Sequence, residues 1–92
     1  MSEFRKTVAI TNNRGLHARA SAKFVTYVSK LPEGLSVKVS KDGTEVTGTS
    51  IMGLMMLGAA KGDSVEIIVM GEQAESALEK LTGLVVDGFG ED

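Results

Sequence analysis

The segment LSVKVSKDGTEVTG, residues 35–48, constrains the fold more tightly than any other stretch of the chain. Leu35, Val37 and Val39 alternate with polar residues, which makes one face of an extended segment apolar and the other wet. Asp42 and Gly43 follow, and both tolerate the positive φ that a two-residue hairpin turn requires. The segment TEVTG therefore returns antiparallel to the strand before it. A sheet whose strands alternate in this way buries one face, so the rest of the chain must supply elements to cover it.

The remaining patterns meet that demand. FRKTVAIT places Phe4, Val8 and Ile10 on one side and reads as a strand, with NNRG as the turn after it. From Ala18 the period changes to that of a helix: Ala20, Phe24, Tyr27, Val28 and Leu31 share one side, and Arg19, Lys23, Thr26 and Lys30 another. LPEG ends this helix, because proline cannot continue the hydrogen-bond ladder and glycine favours turns. SIMGLMML is too short to classify by period, but Thr49 or Ser50 as cap and Gly58 as terminator favour a short helix. SVEIIVM is a fourth strand. EQAESALEKLTGLVV is a last helix with Ala74, Ala77, Leu78, Leu81 and Val85 on its apolar stripe. Residues 88–92 read as a frayed tail. The order β-α-β-β-α-β-α predicts an α+β fold in a single domain, residues 1–92. A four-stranded, mainly antiparallel sheet carries three helices on one face and leaves the other to water.

Composition excludes several chemistries. The 92 residues contain no cysteine and one histidine, which rules out disulfides and thiolate sites and predicts no metal and no cofactor. Net charge is −2 with signs interspersed, so no nucleic-acid partner is expected. MSEFRK lacks an apolar signal core and no apolar run approaches a membrane span, which predicts a cytoplasmic protein without membrane insertion.

The one histidine, His17, lies in NNRGLHARASAKF, where strand turns into helix. A histidine there is either a hydrogen-bonded turn residue or a group beside an anion site. The first helical turn has backbone N–H groups without intrahelical acceptors, at the positive end of the helix dipole. Gly15 lets the backbone approach closely, and the backbone of Gly15, Ala18 and Ala20 forms a phosphate-sized cradle to which Arg19 adds a charge-assisted bond. A neutral imidazole is a competent nucleophile, and phosphoryl transfer asks little beyond positioning and charge stabilisation. The spaced glycines and Gly-Lys pair of a Walker loop are absent.

GLHARASAKFV resembles the active-site motif of the HPr family, the histidine-containing phosphocarriers of the bacterial phosphoenolpyruvate-dependent phosphotransferase system. TSIMGLMMLGAAKGDSVEI resembles the segment around that family's regulatory serine, and the likeness spans nearly the whole chain. The resemblance implies an open-faced β-sandwich and a monomeric, stoichiometric phosphoryl carrier rather than an enzyme. It implies that His17 accepts a phosphoryl group on Nδ1 from phospho-Enzyme I and donates it to an Enzyme IIA domain, with Arg19 pairing the phosphate. A branch resembling the nitrogen-related phosphotransferase pathway is the nearest variant, beside sugar uptake. The family usually has proline where this chain has Ala20; alanine starts a helix well, so transfer is expected to survive with a looser loop.

Ser50 reads as a helix cap and, by the resemblance, as a site for HPr kinase/phosphorylase; the two roles are compatible. Leu54 and Leu57 are expected in the core. Ile51, Met52 and Met55, with Phe24, are the candidate partner-docking residues, unless the methionines simply fill core gaps. Two other functions compete: a binding regulator read through Ser50 with His17 idle, and an unrelated interaction domain.

Overall fold

The computed structural model describes residues 3–91. Strands β1 (Glu3–Ala9), β2 (Ser36–Lys41), β3 (Thr44–Thr47) and β4 (Ser64–Met70) alternate with helices α1 (Ala18–Ser29), α2 (Ile51–Met56) and α3 (Ala74–Val86), and a 3-10 turn, Gly88–Gly90, follows. The strands lie in the order β1-β4-β2-β3, every neighbouring pair antiparallel. The four strands and three helices are those the sequence predicts. The strand order is new information: β4 enters between β1 and β2, and its inward residues Val65, Ile67 and Val69 sit opposite Val8, Val39 and Val37.

The hairpin forms as read, with Asp42 at φ 51° and Gly43 at φ 83°. α1 buries Ala20, Ser21 and Phe24, while Tyr27, Val28 and Leu31 pack on the core's margin. Buried Ser21 was not foreseen; its hydroxyl donates to the Leu16 carbonyl at 3.2 Å, which satisfies it within the helix entry. Ser50 caps the start of α2, its Oγ accepting the Gly53 N–H at 2.9 Å, and Leu54 within the helix and Leu57 at its C-cap enter the core. α3 begins two residues later than its pattern suggests, because Gln73 is left-handed at φ 63° and cannot join the helix.

The wet face of the sheet is not uniformly open. Ile68 points there and is buried, flanked in register by Arg5 on β1 and Lys38 on β2. Arg5 bonds Glu3 and Glu66, and Lys38 pairs with Glu45, so long charged side chains lie across the sheet and cover an apolar residue.

The frayed tail expected over residues 88–92 is corrected by the structure. Phe89 is 1% exposed, within the core, and Lys23 Nζ donates to its carbonyl at 2.7 Å. Gly88, Phe89 and Gly90 all have positive φ, which folds the chain back across the start of α1. Fraying is a rule for termini that bury nothing, and this one buries a phenyl ring. Asp92 lies outside the described residues. No helix among them is long and apolar enough to cross a membrane.

Candidate functional site

The turn between β1 and α1 sets the site. Leu16 is buried and its N–H donates to the Ala59 carbonyl at 2.9 Å, which pins the segment to the loop after α2. Gly15, at φ 63°, makes this possible: a Cβ there would stand 2.3 Å from the Ala59 oxygen. Its own N–H bonds the Asn12 carbonyl at 3.2 Å. Gly15 thus serves a close approach, but to the Ala59–Ala60 backbone; its amide is spent in the turn rather than aimed at an anion.

His17 follows as the N-cap of α1, in extended backbone. Its side chain is 15% exposed, at the opening of the helix rather than inside the core. Nδ1 accepts the Arg19 N–H at 3.3 Å, so the imidazole itself caps the helix. The first intrahelical bond runs from Ser21 N–H to the His17 carbonyl. The N–H groups of Ala18 and Ala20 have no acceptor among the described residues. The Ala20 side chain is fully buried, so only its amide belongs to the site.

On the far side of the ring, Nε2 lies 2.7 Å from Glu91 Oε2. Glu91 Oε1 accepts from Asn12 Nδ2 at 3.1 Å, and the same nitrogen donates to the Gly15 carbonyl at 2.8 Å. Two acceptors fix the orientation of the Asn12 amide, leaving its buried Oδ1 without a partner among the described residues. Burial alone would push the Glu91 carboxyl up. The hydrogen bonds from Asn12 and His17, with the charges of His17 and Lys23, outweigh it and hold the group below the usual carboxylate range.

Sequence reasoning missed Glu91 and Asn12. A signal existed in GFGED: an aromatic residue between glycines just after an amphipathic helix is an anchor with freedom to fold back.

Arg19 is exposed, and its guanidinium has no partner among the described residues. It borders a groove between α1 and α3, lined by Lys23, Thr26, Tyr27, Lys30 and Leu84, whose floor is apolar and whose rim is basic. α2 packs beside α1 and leaves Met52 72% and Met56 81% exposed, with Ile51 and Met55 also on the surface. The methionines therefore do not fill core gaps. Phe24 does: it is 2% exposed, so the expectation that it meets a partner is corrected. Its phenyl ring belongs to the core cluster, together with Leu54, Leu81 and Phe89.

A family model described as the PTS HPr component phosphorylation site matches residues 4–87. The phosphocarrier protein HPr of Neisseria meningitidis serogroup A is 44% identical over 87 residues, covering 95% of this chain and 96% of that protein. The phosphocarrier protein NPr of Escherichia coli K12 is 37% identical over 91 residues, covering 96% and 97%. Among solved structures, HPr from Thermoanaerobacter tengcongensis superposes with a TM-score of 0.86 at 39% identity, covering 100% of this chain and 99% of that one.

Proposed function

Since the chain belongs to the HPr family of phosphocarrier proteins, we propose that His17 is its carrier residue, loaded by phospho-Enzyme I and unloaded onto an Enzyme IIA domain in the cytoplasm. One observation carries the reading: Nδ1 sits over the first turn of α1, held by a single long bond from the Arg19 amide. As Nδ1 attacks phosphorus, the donor's bond to phosphorus breaks with its electron pair. The arriving oxygens take up the Arg19 amide and find the N–H groups of Ala18 and Ala20 unused. The Arg19 guanidinium, free of internal partners, pairs with the added charge. Gly15 holds the turn in place without touching phosphate.

Ile51, Met52 and Met55 form the apolar part of the docking surface, with Met56 beside them. The basic rim of Arg19, Lys23 and Lys30 favours fast, salt-sensitive association of the monomer with acidic partners. Similarity to both HPr and NPr proteins leaves sugar uptake and nitrogen-related regulation as the two settings.

With phosphoenolpyruvate and an Enzyme I active on a known HPr, the protein is expected to gain one acid-labile, base-stable phosphate, read by mass and phosphorus NMR. His17→Ala abolishes it and Ser50→Ala retains it. An unmodified wild type under these conditions refutes the carrier reading.

Ser50 is the proposed regulatory site, acted on by an HPr kinase/phosphorylase. Its phosphate would meet no penalty from the helix terminus it caps and would repel acidic partners at the docking surface. Ser50→Ala is expected to cost about 1 kcal/mol of stability through the lost cap, read by urea denaturation. Ser50→Asp keeps a cap and is expected to slow phosphoryl transfer about tenfold, in line with the coupling of one charge to an interface.

A further inference from the structure

We infer that Glu91 is a positioning residue for His17, one that fixes which ring nitrogen carries the proton and pairs with the ring once it is charged. The inference deepens the carrier reading and rests on it for its purpose, though its geometry stands alone.

A neutral imidazole has one donor and one acceptor nitrogen. Nδ1 already accepts the Arg19 N–H, so it presents a lone pair; Nε2 faces the Glu91 carboxylate at 2.7 Å and must donate. Both contacts select the same tautomer, with the proton on Nε2 and the nucleophilic pair on Nδ1. A carboxylate that orients a histidine from behind has the same logic in hydrolytic triads, where it also stabilises the imidazolium that forms. The carboxylate is itself held in place. Asn12 Nδ2 grips its other oxygen, and buried Phe89, tied by Lys23, fixes the chain two residues earlier.

The consequence for transfer follows from the proton count. When the Nδ1 lone pair bonds phosphorus and the donor departs, Nε2 keeps its proton, so the phosphorylated ring is born cationic. Glu91 pairs with that charge. On unloading, the acceptor attacks phosphorus, the Nδ1–P bond breaks with its electrons returning to Nδ1, and the ring leaves as neutral imidazole. A ring that lost its Nε2 proton to water would be a poorer leaving group.

The test needs no Enzyme I at first. Phosphoramidate, a small phosphoryl donor that releases ammonia, is applied to wild type and to Glu91→Ala, and phosphorus NMR separates the Nδ1 from the Nε2 adduct. Wild type is expected to react at Nδ1. Glu91→Ala is expected to raise the Nε2-to-Nδ1 product ratio about tenfold or more, the scale on which orienting partners of histidine act. Nitrogen-15 shifts of the neutral ring should report a single Nε2–H tautomer in wild type and an averaged mixture in Glu91→Ala. Glu91→Gln, whose amide oxygen still accepts, should keep the tautomer yet slow transfer from phospho-Enzyme I. An unchanged product ratio and tautomer in Glu91→Ala, with the Phe89 and Lys23 amide shifts intact, overturns the inference. If the ratio shifts but Enzyme I loads no variant and no wild type, the positioning role holds and the carrier reading falls.

Discussion

Phe89→Ala is expected to lower stability by about 3–5 kcal/mol, the usual loss for truncating a buried phenyl ring. For a chain of 92 residues, each kcal/mol moves Tm by about 4–8 °C, so a drop of roughly 12 °C or more should appear in thermal unfolding followed by circular dichroism. The ring is 1% exposed and belongs to the same core cluster as Phe24, Leu81 and Val85. A frayed tail would predict a change within about 0.5 kcal/mol, the range of surface substitutions away from special features. The two outcomes are far enough apart for one melt to separate them. Phe89 also has φ 58°, a conformation that alanine shares with phenylalanine, so backbone strain does not enter the comparison.

Gly15→Ala is the second large effect. The new Cβ would stand 2.3 Å from the Ala59 oxygen and 2.9 Å from the Ala60 Cα, both backbone atoms that cannot swing aside. Moving them stretches the bond from the Leu16 N–H to the Ala59 carbonyl, the contact that docks the turn before His17. Positive φ adds about 1–2 kcal/mol for any L side chain. The total is expected to reach about 3 kcal/mol or more by urea denaturation, the range of strain and overpacking combined. Gly34→Ala is the control: φ is positive there as well, at 90°, but nothing lies within 4 Å of the new Cβ. A Gly15 loss no larger than that of Gly34 would show that the 59–60 loop gives way freely.

How much of this was legible beforehand depends on range. The hairpin at Asp42-Gly43, the Ser50 cap and the stop at Gly58 were readable because each is settled by a few adjacent residues and their allowed φ. Helix α1 and strand β2 were readable because burial on one side imprints a period of 3.6 or 2 on the residues themselves. His17 stood out for the same reason: helix-start chemistry is local, and the family motif runs unbroken through it.

Phe24 shows where that method fails. A period says which side of a helix is apolar, but not whether that side meets a sheet or a partner. Ile68 shows the same from the strand: alternation marks it for water, and only the stems of Arg5 and Lys38 on neighbouring strands bury it.

By itself, then, the order of residues dictated the elements, the antiparallel hairpin and the position of the imidazole at a helix opening, since all of these answer to short-range sterics and hydrogen bonding. Only the folded chain decided that β4 lies between β1 and β2, that the last turn packs inward, and that Glu91 reaches His17 across 74 positions of sequence. Contacts between such distant residues leave no periodic trace in a single chain, because they are selected by the shape of the whole core and not by any neighbour.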